Sequence, residues 1–321
     1  MPTVSVIIPN YNHAPYLKLR IETVLNQTYR DFELIILDDC STDNSKEIIE
    51  SYRSNAFVRH IVYNEANSGT TFKQWQKGIA LALGDYIWIA ESDDWCEPTF
   101  LEVLMDGVAL NDEIVVGYCG AIVIADDNEI LYTSNSKKIN EVTDGVAFIK
   151  EQLLESNVIF NASMAVFHKE TFKQISPEFT TYKFCGDWIC WIMMAQKGRV
   201  FASGKYLNYF RKHGLDVSGK SMDNGTYYIE YPRIVKYLLD NGLINKNRFR
   251  LLLFKKFKSL KCFGGDSNTK KDLVLSFRQM IGMKKLIAFT LADWIHEVKI
   301  SFWIITPRII KTAIRTLFVK A

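Results

Sequence analysis

Three runs of apolar, largely β-branched residues each stop abruptly at a polar or acidic cluster. Val4–Pro9 closes on Asn10-Tyr11-Asn12, Phe32–Leu37 on Asp38-Asp39, and Tyr86–Ala90 on Glu91-Ser92-Asp93-Asp94. The intervening stretches are amphipathic. Leu17, Ile21, Val24, Leu25 and Thr28 fall at helical spacing, Ser41-Thr42-Asp43 supplies helix-start residues for a helix to about Arg53, and a further helix is expected from about Thr71 to Leu83 after a strand at Val58–Tyr63. Strands alternating with helices predict an α/β fold, a sheet flanked by helices. The wholly apolar Tyr86–Ala90 predicts a central strand, covered on both faces.

Farther along, strands are expected near Val115–Ala125, Val158–Phe167, Arg199–Ala202 and Tyr206–Phe210, with a helix from Pro98 and another from about Asp187 to Lys197. From Tyr227 onward the pattern is helical. Gly, Ser, Asp and Asn cluster around Gly219–Gly225, which places a boundary between a domain at 1–222 and a helical appendage at 223–321. Charge divides at nearly the same place: residues 226–321 hold 19 Lys and Arg against 6 Asp and Glu, and residues 1–225 hold 20 against 30. Such a split predicts two regions with different partners.

Several classes are excluded or disfavoured. The first strand leads to Asn10-Tyr11-Asn12-His13, not Gly-x-Gly-x-x-Gly, and no phosphate loop with Gly-Lys-Ser/Thr occurs, which argues against a dehydrogenase and a P-loop kinase or ATPase. A nucleotidyltransferase would need a Gly-rich, basic first loop, also missing. The six cysteines form no Cys-x-x-Cys pair and no Cys/His cluster, so buried thiols in a cytosolic protein are expected. The start reads as a strand and not a signal peptide, and no run reaches the roughly 18 apolar residues that span a bilayer.

In open α/β sheets, ligands gather beyond the carboxyl ends of strands, so three polar ends in consecutive units point to one polar ligand. Carboxylates as dense as Glu91, Asp93 and Asp94 repel unless a cation or a raised pKa relieves them. Oxygen ligands on a short loop suit Mg²⁺ or Mn²⁺ completed by substrate phosphates. The competing reading is that Asp93 and Asp94 cap the helix that begins near Pro98.

The ordered set of Val4–Asn12, Val24–Tyr29, Glu33–Asp43, Asn67-Ser68-Gly69, Gly84–Ile87 and Glu91–Asp94 resembles the family-2 glycosyltransferases, whose donor domain has the GT-A fold, which implies a Rossmann-like mixed sheet flanked by helices. Order and spacing agree over about the first 110 residues. The resemblance implies a donor site containing Pro9, in which Tyr11 stacks on the nucleotide base, Asp39 accepts from a base N–H, and Asp93 lies near the ribose or sugar. Asp94 would hold the metal that bridges the donor diphosphate, with Asp93 and Glu91 beside it. Glu91 stands where the family more often has Asp, and Thr70–Trp75 replaces the Arg-Asn pair of many relatives, leaving Lys73 as the local cation or as an exposed helix residue. Asp187, in Gly186-Asp187-Trp188, matches the family's acidic base, although its place at a helix start also suits an N-cap. Arg211 and His213 match an Arg-x-His near the site mouth, as a diphosphate clamp and a further metal ligand or as a surface basic patch. His13, His60, His168 and His296 are isolated in the sequence and receive no role.

These residues predict an inverting, metal-dependent glycosyltransferase (hexosyltransferase-like) that takes a nucleotide sugar, a UDP-sugar first among them. The acceptor would be a hydroxyl on a glycan or lipid-linked glycan, in cell-surface polysaccharide or lipopolysaccharide synthesis. The alternative is a catalytically weak nucleotide-sugar-binding or assembly subunit of a glycan-synthesis complex. Membrane spans and a Gln-x-x-Arg-Trp motif, typical of long processive synthases, are missing, which predicts transfer of one or a few sugars. Basic and aromatic residues over 284–320, including Trp294, Phe302 and Trp303, suit a helix on an anionic membrane, a packed amphipathic helix being the alternative. The expected location is the cytoplasm, peripheral at the inner face of the cell membrane. No nucleic-acid recognition motif accompanies the charge. Oligomeric state, a homo-oligomer included, is left open.

Overall fold

The computed structural model describes residues 3–134, 140–213 and 221–293. The chain divides into two units between Met222 and Asp223. In the first, β1 (Val4–Asn10) pairs in parallel with β2 (Phe32–Asp38), Val4 opposite Phe32 and Asn10 opposite Asp38. Every residue of both strands is buried, which explains runs that are apolar without alternation. Between and after them lie α1 (Ala14–Leu25), α2 (Ser45–Glu50), β3 (Val58–Tyr63), α3 (Thr71–Leu81) and β4 (Tyr86–Ile89). Strand β4 pairs with the other side of β1, so it is central, as its composition predicts. Helix α3 packs close to β1 at Gly78, where a Cβ would lie 2.5 Å from Ile7.

The chain continues through β5 (Trp95–Cys96), α4 (Phe100–Val108), β6 (Ile114–Ala125), β7 (Ile130–Thr133), β8 (Glu141–Asp144), α5 (Gly145–Phe148), β9 (Ala165–His168), α6 (Lys169–Lys173), α7 (Gly186–Ala195) and β10 (Arg199–Lys212). Among the described residues ten strands form one sheet with the main order β3-β2-β1-β4-β9-β6-β10-β5, β7 pairing with β6 and β8 with β10. Strand β9 is antiparallel to both β4 and β6, and β10 is parallel to β6. Two reversals restore direction, so β1, β2, β4, β6 and β10 all point the same way. Their carboxyl ends carry Asn10, Asp38, Glu91, Asp126 and His213 to one edge of the sheet. That edge is the candidate site.

The expected strand Val158–Phe167 is shorter than predicted. Only Ala165–His168 pairs, and the preceding residues form a loop with a tight turn at Ala162–Met164. The reason is polar: Asn161 and Ser163 bond to residues of the acidic loop, which a regular ladder would not permit. Arg199–Ala202 and Tyr206–Phe210 are one strand, β10, interrupted by irregular register between Ala202 and Asn208.

The second unit contains α8 (Thr226–Asp240), α9 (Lys246–Ser259) and α10 (Ser267–Ile281), followed by helix at 283–293. Asp266 caps α10 by accepting from the backbone N–H groups of Asn268 and Thr269, both at 2.9 Å. Helix 283–293 packs on α9 through Phe254 and Phe289, ring centroids 5.3 Å apart, and through a 2.6 Å ion pair between Lys258 and Asp293. Met283, Ile287 and Leu291 remain exposed at four-residue spacing. No helix among the described residues is long and apolar enough to cross a membrane. Trp294, Phe302, Trp303 and the rest of the basic tail lie outside the described residues.

Candidate functional site

The loops after β1 and β2 interlock. Asn12 adopts a left-handed conformation, φ 56°, which asparagine tolerates better than most residues. Its backbone N–H donates to Ser41 Oγ at 2.9 Å, and its side-chain oxygen accepts from the Thr42 backbone N–H at 2.8 Å. Tyr11 stands beside this turn with 46% of its surface exposed, and Pro9 is buried in β1. Asp39 is only 5% exposed. Its carboxylate accepts from Asn64 Nδ2 at 2.6 Å, Gln74 Nε2 at 2.9 Å, and Ser68 through both the backbone N–H and the hydroxyl, at 2.9 and 2.7 Å. Asp39 therefore ties the loop before α3 to β2. Lys73, on the first turn of α3, is exposed and donates to the Ser68 carbonyl at 2.9 Å.

The acidic loop after β4 sends its three carboxylates in different directions. Asp93 faces two histidines: His213 Nε2 lies 3.1 Å from Asp93 Oδ2, and the His13 and His213 ring centroids are 5.6 Å apart. One ligand atom from each of His13, Asp93 and His213 can be chosen so that all lie within 4.8 Å of one another. Ser92 Oγ is 2.7 Å from His13 Nδ1, orienting that ring as outer partners of metal-binding histidines do. Asp94 is turned into the interior, bonded to Asn161 Nδ2 and to the Arg211 backbone N–H, with Arg20 3.9 Å away. Glu91 accepts from Trp75 Nε1 at 3.1 Å.

The metal-capable group thus differs from the expected set of Glu91, Asp93 and Asp94. Asp93 is common to both, His213 is the residue that the resemblance offers as a further ligand, and His13 is new to the set. On so short a loop neighbouring side chains diverge, and the two imidazoles that meet Asp93 come from distant segments at the same sheet edge. Two imidazoles and one carboxylate fit a divalent transition metal such as Mn²⁺ better than Mg²⁺, which prefers an all-oxygen shell.

Burial pushes Glu91 up to about 8, with the charges of Asp93 and Asp94 adding to the effect. Burial and then Asp93 likewise raise Asp94. Burial opposes ionisation of Asp93 too, but the bond from His213 and the charges of both histidines prevail and hold it below the usual carboxylate range. The carboxylate that faces the histidines is the one whose charged form its surroundings favour.

Arg211 does not project into open space as a diphosphate clamp would. Its guanidinium lies 4.8 Å from the Tyr16 ring and 4.9 Å from the Trp95 ring, and it donates to the carbonyls of Asp93, Ala125 and Asp126. It fastens the β6–β7 turn to the acidic loop. Tyr16, pushed up to about 12 by burial and by its 2.7 Å bond to Asp126, stays a neutral donor in the same assembly.

Asp187 lies in the first turn of α7. Asn157 Nδ2 donates to it at 2.9 Å, as does the Trp188 backbone N–H at 2.7 Å. Gly186 lets this helix start approach α3 closely, since a Cβ there would lie 2.4 Å from Phe72. Segment 157–161 links Asp187, through Asn157, to Asp94, through Asn161.

His13, Arg20, Asn161 and Ser163 have no role in the sequence reading. His13 follows directly on the first polar strand end, and that position was the available signal. Arg20 is masked by the apolar helical stripe around it.

The family model for Glycosyl transferase family 2 matches residues 5–176. An uncharacterized glycosyltransferase of a Nostoc species is 28% identical over 214 residues, 66% of this chain and 66% of that protein. Glycosyltransferase GlyG of Streptococcus pneumoniae is 36% identical over 115 residues, 36% of this chain and 38% of its own. A putative teichuronic acid biosynthesis glycosyltransferase, TuaG of Bacillus subtilis, is 27% identical over 197 residues, covering 61% and 73%. The matched region thus spans just under two thirds of the first of these proteins and about two fifths of the second. Among solved structures, S. aureus TarS 1–349 in complex with UDP superposes with a TM-score of 0.55 at 19% identity, covering 88% of this chain and 73% of that one. The mannosyltransferase PcManGT of Pyrobaculum calidifontis, in complex with GDP-Man and Mn²⁺, gives 0.57 at 13% identity, covering 92% and 81%. At such identities the likeness is one of fold, the mixed α/β sheet of GT-A enzymes. With more than half its length matched by the family model and the sheet arranged in this way, the chain belongs to glycosyl transferase family 2.

Proposed function

We propose that this protein transfers a sugar from a nucleotide-sugar donor, a UDP-sugar first among the candidates, to a hydroxyl of a glycan or lipid-linked glycan, with inversion at the anomeric carbon. The observation that carries this reading is the convergence of His13, Asp93 and His213 beside the exposed Tyr11 at the strand ends. TarS in complex with UDP or UDP-GlcNAc and PcManGT in complex with GDP-Man and Mn²⁺ support a nucleotide sugar as the ligand.

Tyr11 would stack on the base. Asp39 would accept from a base N–H once Ser68 yields one of its two bonds, and Lys73, tied to the same loop, would move with it. His13, Asp93 and His213 would hold the divalent ion. When bound there, that ion supplies positive charge beside the leaving diphosphate. Asp187 takes the proton from the acceptor hydroxyl as its oxygen bonds to the anomeric carbon. The bond from that carbon to the phosphate oxygen breaks, its electron pair leaving with the nucleoside diphosphate. Attack opposite the leaving group in a single displacement inverts the configuration.

The C-terminal unit adds a membrane surface to this reading. Its excess of Lys and Arg, together with the exposed Met283, Ile287 and Leu291, suits the inner face of an anionic membrane, where lipid-linked acceptors lie.

Incubation with nucleotide sugars, Mn²⁺ and candidate acceptors tests the transfer. Release of nucleoside diphosphate with a product of inverted anomeric configuration, read by NMR, is the expected result. Donor binding without turnover on any acceptor would favour the binding or assembly subunit, and retained configuration would remove the single-displacement scheme.

A further inference from the structure

Helix α1 buries Leu17, Ile21 and Val24 and, on the same side, a complete arginine. The Arg20 side chain has no exposed surface. Its Nε donates to the Glu91 carbonyl at 2.8 Å, and one terminal nitrogen donates to Ser163 Oγ at 2.8 Å and lies 3.9 Å from Asp94 Oδ2. The guanidinium carbon sits 5.5 Å from the centre of the Trp88 ring. The other terminal nitrogen, Nη1, has no hydrogen-bond partner. Burying a guanidinium is costly unless opposite charge compensates it. An incompletely bonded one is better explained by its charge than by its hydrogen bonds.

The compensating charge is the loop 91–94. Three carboxylates crowd there, and among the described residues two arginines stand against them, Arg211 at the strand end and Arg20 underneath, besides the two histidines that face Asp93. Arg211 touches the loop through the Asp93 carbonyl and its own backbone N–H, whereas Arg20 alone pairs with an Asp94 oxygen from within the core. Asp93, one residue away, faces the opposite direction, toward His13 and His213.

We infer that Arg20 is a positioning residue, a permanent counter-cation behind the acidic loop that keeps it assembled between turnovers and weakens its hold on the exchangeable divalent ion in front. The inference rests on the proposed metal role of His13, Asp93 and His213. Its two effects have opposite signs in the variant. Removing the charge destabilises the metal-free protein, because the carboxylates lose their compensation. It also strengthens metal binding, because an incoming dication is no longer repelled from behind. The remaining ties, Ser163 Oγ accepting from the Glu91 backbone N–H at 3.0 Å and Asn161 and Arg211 donating to Asp94, keep the loop's shape while the charge changes.

The test compares the full-length protein with Arg20→Met and Arg20→Lys, using Mn²⁺ alone as the probe. Mn²⁺ binding is followed by electron paramagnetic resonance, and melting temperature is measured in EDTA and in saturating Mn²⁺. Arg20→Met is expected to melt lower than wild type in EDTA, to show a larger rise with Mn²⁺, and to bind Mn²⁺ at least about threefold more tightly. Arg20→Lys is expected to return the Mn²⁺ affinity and the size of the rise to wild-type values. A merely structural arginine would lower both melting temperatures equally. Unchanged or weaker Mn²⁺ affinity in Arg20→Met overturns the inference. If Arg20→Met folds only in Mn²⁺, the inference is supported; if it folds in neither condition, the residue is structural and the inference fails. Absence of any Mn²⁺ binding by the wild type would remove the metal role itself, a separate and recognisable outcome.

Discussion

The Trp75 indole donates to Glu91 Oε1 at 3.1 Å, joining the two places where this chain departs from the common family pattern. Glu91 replaces the more frequent Asp, and the segment around Trp75 replaces an Arg-Asn pair. The longer carboxylate reaches α3, and the indole meets it there.

If the two departures belong together, they are coupled energetically. Trp75→Phe leaves the Glu91 acceptor without its donor and is expected to lower stability by about 1–3 kcal/mol. Glu91→Leu removes the acceptor instead of the donor. A double-mutant cycle by urea denaturation should give a coupling of roughly 1 kcal/mol. Strict additivity would show that the bond does not matter.

Tyr11 is predicted to hold the base by its ring face. Tyr11→Ala should weaken donor binding by about 1–2 kcal/mol, roughly 5- to 30-fold in Kd, and Tyr11→Phe should leave it near wild type. Isothermal titration with the preferred nucleotide sugar measures both. Equal loss in the two variants would assign the effect to the hydroxyl.

Asp187→Asn preserves the helix start but removes the base. Transfer is expected to fall by about 10²–10⁴, with donor affinity unchanged within about twofold. Turnover near normal in this variant would end the base assignment, and a parallel loss of donor binding would point to a positioning role.

Met283, Ile287 and Leu291 are expected to enter the surface of anionic vesicles. Replacing all three with Asn in the full-length protein should release it from phosphatidylglycerol vesicles in a flotation assay, while phosphatidylcholine vesicles bind neither form. Undiminished binding of the variant would discard this surface.

Much of the sheet was legible because its signals are local. Val4–Asn10, Phe32–Asp38 and Tyr86–Ile89 declare themselves by buried apolar runs, and their polar ends lie at the edge that carries the candidate site. The group at that edge was not legible in full. His213 joins His13 and Asp93 only because β9, antiparallel to both β4 and β6, returns β6 and β10 to the direction of β1 and β4, a relation set by pairing across the sheet and not by any neighbouring residue. Arg20 was hidden for the opposite reason: an apolar helical stripe predicts burial of its neighbours but gives no sign that a charge is buried among them. The stretch before Ala165 read as strand because its composition is apolar, while Asn161 and Ser163 were already committed to the acidic loop.

The most direct measurement is the melting temperature of the wild type and of Asp93→Asn with a panel of UDP- and GDP-sugars, in Mn²⁺ and again in EDTA. A donor at about a hundred times its Kd should raise the wild-type melting temperature by about 5–10 °C. The rise should be selective for one or a few donors, vanish in EDTA, and be lost in the folded Asp93→Asn variant. A rise of equal size in EDTA or in Asp93→Asn, or no rise with any donor in the folded wild type, would contradict a metal-dependent nucleotide-sugar site at these strand ends.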